Sequence, residues 1–213
     1  MKNIYKLKLV KACKELLNYD LVKGTWGNLS ILDEKLIYIT PSGYDYRKMT
    51  PEDICVIDID GNKIDGKRKV SSEWILHSEI YKKRKDIKFI LHTHPQYSSL
   101  ASVCLEKVPS LIEDTAMICG ENVYIAKYGD PGSKELAENA VKYLKNNHAV
   151  ILRNHGLVTV GETFNEALSA ALICEKNIFI YTESKKISDI IFEIPEKKLK
   201  ELRQKYLEYY KQK

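Results

Sequence analysis

The sequence predicts a single α/β domain with a largely antiparallel central sheet covered by helical layers. Three observations lead there. Short segments that read as hairpins alternate with amphipathic helical stretches along the whole chain. The 213 residues are 44% hydrophobic and 30% charged, which is enough for one core and too apolar for a disordered chain. No Gly-x-Gly-x-x-Gly follows a strand and no Gly-x-x-x-x-Gly-Lys-Ser/Thr occurs, so the doubly wound dinucleotide and P-loop frameworks lack their motifs. With no internal repeat and no linker, residues 1–213 read as one domain ending in a helical tail at about 196–213.

The elements follow in order. Residues 3–19 place Leu9, Val10, Cys13, Leu16 and Leu17 on one helical stripe. Residues 29–32 and 36–40 form a hairpin across Asp33-Glu34-Lys35, and 54–58 a third strand that turns at Asp60-Gly61-Asn62. Ser71-Ser72 suit a helix start before Trp74, Ile75, Ser78 and Tyr81, because a serine hydroxyl can take a free N-terminal amide. Residues 88–92 read as an apolar strand, and Pro95 suits the first turn of the next helix. Ser133 caps a helix carrying Leu136, Ala137, Ala140, Val141 and Leu144. Two strands, 149–152 and 157–160, flank Arg153-Asn154-His155-Gly156. Thr163 and Glu166 have capping-box spacing and open a helix through Ala167, Ala170, Ala171 and Cys174. A last helix near 196–211 carries Leu199, Leu202, Tyr206 and Tyr209.

Charge and cysteines bound the function class. The net charge is 34 − 29 = +5, a mild excess that suits an anionic substrate. Lys67-Arg68-Lys69 and Lys82-Lys83-Arg84-Lys85 are short and read as solvated loop and helix-end residues, so no nucleic acid partner is expected. No apolar run is long enough to span a bilayer, and no membrane partner is expected. The first residues are interrupted by charge and lack the apolar segment of a secretory signal. Five cysteines, widely spaced and without a Cys-x-x-Cys pair, read as reduced core residues such as Cys55, which places the chain in a reducing cytoplasm.

Three groups of residues can carry chemistry. The chain holds five histidines, His77, His92, His94, His148 and His155. His92-Thr93-His94 ends a strand, where residues i and i+2 share a face. Such a pair reads either as a solvated strand face or as two imidazoles converging on one ion. With His155, at a turn between two apolar strands, it would make a three-ligand site with an open position, as catalytic zinc sites have. Glu73 either favours the dipole of the helix that starts beside it or stands as a base where an anion site and a metal site meet. Gly24-Thr25-Trp26-Gly27-Asn28-Leu29-Ser30 and Thr40-Pro41-Ser42-Gly43 read either as turns or as oxyanion-binding loops of amides and hydroxyls.

In order and spacing, these two loops with Ser71-Ser72-Glu73-Trp74, His92-Thr93-His94 and Asn154-His155-Gly156-Leu157 resemble the class II aldolase/adducin family over roughly residues 5–183. The resemblance implies one Zn2+ per subunit held by His92, His94 and His155, and by Glu73 in the resting state. It implies that Glu73 is the catalytic acid/base and that Gly27, Asn28, Ser42, Gly43, Ser71 and Ser72 bind a substrate phosphate. It implies a homotetramer with active sites at subunit interfaces.

The implied activity is zinc-dependent retro-aldol cleavage of L-fuculose 1-phosphate, or a related ketose 1-phosphate, between C3 and C4. The products are dihydroxyacetone phosphate and L-lactaldehyde or a related aldehyde, without a lysine Schiff base. The alternatives on the same scaffold are an L-ribulose-5-phosphate 4-epimerase, a methylthioribulose-1-phosphate dehydratase and a non-catalytic adducin-like module. Epimerases of the family usually carry Asp where Glu73 stands, and the module lacks the histidines.

The chain departs from the pattern in one place. The fuculose-cleaving members carry a Tyr, the proton donor to the aldehyde oxygen, after the proline that Pro109 matches. Here the stretch reads Pro109-Ser110-Leu111-Ile112-Glu113-Asp114. The expected substitutes are Tyr206, Tyr209 or Tyr210 from the tail of a neighbouring subunit, or Glu113 or Asp114.

Overall fold

A mixed sheet runs through the middle of the molecule in the computed structural model, which describes residues 2–210, with side chains for 4–208. Its nine strands among these residues are β1 Asn28–Asp33, β2 Leu36–Ile39, β3 Cys55–Asp58, β4 Lys63–Asp65, β5 Phe89–Thr93, β6 Lys107–Pro109, β7 Asn122–Ala126, β8 Ala149–Leu152 and β9 Leu157–Gly161. They lie in the order β4-β3-β2-β1-β5-β9-β8-β7-β6. Every neighbouring pair is antiparallel except β7 and β8. The helices are α1 Lys2–Asn18, α2 Trp74–Lys83, α3 Gln96–Cys104, α4 Glu113–Cys119, α5 Lys134–Leu144, α6 Phe164–Ile187 and α7 Glu196–Lys205.

Period-2 alternation sends the strands' apolar side chains to both faces, and helices cover each. Leu29, Ile31 and Leu91 pack with Leu9 and Leu16 of α1 and with Ala171 and Cys174 of α6. Ile90, Val150 and Val158 pack on the other face with Leu76 and Ile80 of α2 and with Leu136 and Ala140 of α5. The second face is interrupted by polar residues. Asn28 and Ser30 of β1 and His92 of β5 are all buried, and Asn28 pairs directly with His92 across the ladder. That interruption marks the site.

The capping expectations are met in detail at two helices. Ser133 accepts the Leu136 amide at 3.1 Å, and Thr163 accepts the Glu166 amide at 3.2 Å. The Glu166 carboxylate reaches back to the Glu162 amide at 2.9 Å rather than to the amide of Thr163 itself. At α2 the N-cap position is Glu73, not a serine; Ser71 Oγ accepts the Glu73 amide at 3.3 Å. Pro95 likewise occupies the N-cap of α3 rather than its first turn. The helix expected to run through Cys174 extends to Ile187 as α6, and the last helix ends at Lys205 before a π turn over Tyr206–Tyr210. β4, β6, α4 and β7 lie where no element was expected. No described helix is long and apolar enough to cross a membrane. All five cysteines are free thiols; four are buried and Cys104 is exposed.

Candidate active site

Three segments deliver the histidines. β5 carries His92, and His94 follows at its end, so both project on the face that α2 covers. The β8–β9 turn carries His155 and is closed by the Leu152 amide on the Gly156 carbonyl at 2.7 Å. Asn154 sits there at φ 54, a left-handed conformation that asparagine tolerates better than most residues. Position 156 must be glycine for the rings to meet. A Cβ there would lie 2.5 Å from the Thr93 carbonyl oxygen, 3.2 Å from the His94 ring and 3.3 Å from the His92 ring.

The rings converge through their Nε2 atoms. His92 Nε2 lies 3.0 Å from that of His94 and 3.3 Å from that of His155. Glu73, 7% exposed, puts Oε2 3.2 Å from His92 Nε2 and Oε1 3.5 Å from His155 Nε2.

The protonation pattern follows from partners. His92 Nδ1 faces the Leu157 carbonyl at 3.1 Å; a carbonyl only accepts, so Nδ1 carries a proton and Nε2 is the nitrogen turned to the cluster. Burial, reinforced by the neighbouring imidazoles, pushes His94 down to about 3, and burial with the charge of His92 pushes His155 down to about 4. Both rings are therefore neutral at pH 7. Burial raises the Glu73 carboxyl, but the charge and hydrogen bond of His92, the charge of His155 and the Asn28 amide outweigh it and hold Glu73 well below the usual range. Glu73 Oε1 is buried without a hydrogen-bond partner.

This donor set fits a divalent cation. Neutral imidazole nitrogens facing one another beside an ionised carboxylate repel without a cation between them, and nitrogen with oxygen is a normal zinc environment. His92 has the backbone-anchored Nδ1–H that orients metal-bound histidines.

A cleft of about 460 Å3 opens beside the cluster. Gly27, Asn28, Ser42, Gly43, Ser71, Ser72, Glu73, His94 and His155 all line it, and His92, fully buried, joins the cluster from behind the wall, so the structure brings together every sequence-predicted site residue. Thr25, Trp26, Pro41, Pro131 and Asn154 complete the wall. Gly27 joins the loop to the histidine strand: at φ +105 a Cβ would lie 2.7 Å from the His92 carbonyl oxygen. Tyr46 donates to the Gly27 carbonyl at 2.9 Å and fixes the loop from below. Among the described residues no Lys or Arg lines the cleft, so an anion there would meet amides, hydroxyls and the N-terminus of α2.

The alternative proton donors lie elsewhere. Glu113 and Asp114 open α4, where Asp114 pairs with Lys176, and Tyr206 packs on the core beside Arg203. None of the three lines the cleft. The side chains of Tyr209 and Tyr210 fall outside the described residues. Sequence reading passed over His77, which lies under Asn28 and is fully buried.

The family described as Class II Aldolase and Adducin N-terminal domain matches residues 7–182. A Bacillus thuringiensis protein named 5-deoxy-D-ribulose 1-phosphate aldolase is 33% identical over 207 residues, 96% of each chain. A Methanococcus maripaludis L-fuculose phosphate aldolase is 36% identical over 169 residues, 79% of this chain and 91% of that one. A solved L-fuculose 1-phosphate aldolase superposes with a TM-score of 0.91 at 35% identity, covering 95% of this chain and 96% of the other. Resident in that family by fold, motif order and match length alike, the chain is a class II aldolase, a carbon–carbon lyase of a metal-dependent group.

Proposed function

We propose that the protein cleaves a ketose 1-phosphate between C3 and C4 with a divalent ion, zinc, to give dihydroxyacetone phosphate and a short aldehyde. The observation that carries this is the meeting of three imidazole Nε2 atoms with the unpartnered oxygen of Glu73 at one end of an amide- and hydroxyl-lined cleft. L-fuculose 1-phosphate is the first substrate in this reading, with L-lactaldehyde as its aldehyde. A second reading is 5-deoxy-D-ribulose 1-phosphate, which the relative matched over 96% of both chains favours. The two share the phosphate, the hydroxyketone and the bond that breaks.

His92, His94, His155 and Glu73 would hold the ion. When bound, it supplies Lewis-acid polarisation of the hydroxyketone oxygens. The chain's own groups do the rest. Amides and hydroxyls at Gly27, Asn28, Ser42, Gly43, Ser71 and Ser72 hold the phosphate and fix the position of C3. In the condensation direction, ionised Glu73 removes a proton from C3 of dihydroxyacetone phosphate. C3 then bonds to the aldehyde carbon, whose oxygen takes up a proton. Cleavage runs the same steps backwards, so one proton leaves the C4 hydroxyl and one arrives at C3.

The cleft's described titratable groups are Glu73, His94 and His155, which leaves the proton at the C4 oxygen to another group. We assign it to Tyr206, Tyr209 or Tyr210 in the tail of a neighbouring subunit of a homotetramer. The working unit is then one domain over residues 1–213 whose tail, from about 196, serves the next copy, in the cytoplasm.

A panel of ketose 1-phosphates with coupled detection of dihydroxyacetone phosphate tests the reading. Release from L-fuculose 1-phosphate or 5-deoxy-D-ribulose 1-phosphate is expected. Epimerised or dehydrated product without dihydroxyacetone phosphate would move the protein to a different reaction on the same scaffold.

A further inference from the structure

Behind the cleft a buried polar chain runs inward from Glu73 and Asn28 through His77, Ser30 and Tyr81, three residues that the proposed reaction does not use. Glu73, His77 and Tyr81 stand four residues apart around α2, one above another at about 6 Å per step. Asn28 and Ser30 stand two apart on β1, about 6–7 Å, and point at that helix face. The matched spacings let the two ladders interlock. Asn28 Nδ2 donates to Glu73 Oε2 at 2.7 Å, His77 Nε2 meets Asn28 Oδ1 at 2.5 Å, and His77 Nδ1 meets Ser30 Oγ at 2.6 Å. Ser30 Oγ meets the Tyr81 hydroxyl at 2.8 Å, which lies 3.0 Å from the Lys88 carbonyl. Asn28 is 5% exposed, and Ser30, His77 and Tyr81 are 0%.

The carboxylate end fixes the direction of the bonds at Asn28 and at His77 Nε2. A carboxylate only accepts, so the Asn28 amide nitrogen faces Glu73 and its oxygen faces His77. His77 Nε2 therefore carries the proton. Burial, then the charge of His92, pushes His77 down to about 3, so the ring is neutral and Nδ1 accepts from the Ser30 hydroxyl. The single Tyr81 hydroxyl proton is shared between the Ser30 oxygen and the Lys88 carbonyl, which only accepts.

We propose that His77 is a positioning residue for Glu73: held by Ser30 and Tyr81 with its proton on Nε2, it locks the Asn28 amide so that nitrogen, not oxygen, faces the carboxylate. Without that lock the amide can turn and set oxygen against oxygen. The lock holds Oε2 from behind and leaves Oε1 free to act in the cleft. The inference rests on the proposed acid/base role of Glu73.

The test is steady-state retro-aldol kinetics with metal content measured on the same zinc-loaded samples, for His77→Leu, His77→Gln, Ser30→Ala and Glu73→Gln. His77→Leu should keep its metal, change KM by less than about threefold and lower kcat about 10- to 100-fold. His77→Gln keeps an N–H toward Asn28 and should recover most of that loss. Wild-type kcat in folded His77→Leu overturns the proposal, as does a His77→Gln as impaired as His77→Leu, or a loss confined to KM. If His77→Leu does not fold, Ser30→Ala decides: it unlocks the ring tautomer and should lower kcat, and an unchanged kcat overturns the lock. Glu73→Gln separates the two levels. If it turns over like wild type, the acid/base reading fails; if it is inactive while His77→Leu is unimpaired, only the positioning role fails.

Discussion

Glu73 has one oxygen held by Asn28 and one without a partner, an asymmetry that suits a group moving a proton on one side only. Glu73→Gln keeps the volume and the position but not the basicity, so kcat should fall about 10²–10⁴-fold with the fold unchanged by circular dichroism. His155→Ala removes one nitrogen from the cluster, and metal analysis after dialysis should show occupancy well below one ion per chain. Gly156→Ala forces the turn away from Thr93 and should weaken metal affinity about tenfold without removing any ligand, as measured by competition with a chromogenic chelator. The convergence of His92, His94 and His155 was legible in sequence because strand period and a turn between two strands set where they point. His77 was not, because a single histidine among Leu76, Ile80 and Tyr81 reads as helix core. The signal lay in the four-residue spacing Glu73, His77, Tyr81 against Asn28-x-Ser30, and it becomes visible once β1 and α2 are known to face each other.

In the proposed reaction, α2 and its preceding serines tie anion binding to acid/base chemistry. Ser71→Ala with Ser72→Ala should raise KM for a ketose 1-phosphate about tenfold or more, with a smaller effect on kcat, because a hydrogen bond to a charged group is worth about 1.5–3 kcal/mol. α6, far from the reacting atoms, gives the contrast. Thr163→Ala removes an N-cap and should cost about 1 kcal/mol in urea unfolding with kcat unchanged. The caps of α5 and α6 were legible because Ser133 and Thr163 carry side-chain oxygens at the right offset. The start of α2 was misplaced by one or two residues, since either serine could have capped and the chain uses Ser71 on the Glu73 amide. Four elements were hidden for physical reasons. β4 and β6 are three-residue strands, β4 wholly exposed and β6 ending in a proline, and α4 is only seven residues long. β7 does alternate, burying Val123 and Ile125, but it borrows its place from a parallel neighbour, β8, that local sequence does not announce.

The molecule joins a nine-stranded sheet, covered on both faces, to a cleft at the ends of β1, β5 and the β8–β9 turn. The sheet class was legible from hairpins lying between helices; the order of strands came only from the assembled ladder. The cleft's lack of a second acid or a tyrosine among described residues makes the tail the decisive region at this scale. Replacing Tyr206, Tyr209 and Tyr210 together by Phe should leave metal content intact and lower kcat, and mixing this variant with an inactive Glu73→Gln chain should restore part of the rate if tails serve neighbouring copies. The central claim, that His92, His94, His155 and Glu73 hold one divalent ion on which cleavage depends, is tested most directly by following metal content and dihydroxyacetone phosphate release together during chelation. The account predicts one ion per chain, a rate that falls in step with its removal, and recovery when Zn2+ is returned. A metal-free chain that still cleaves at the full rate would contradict it.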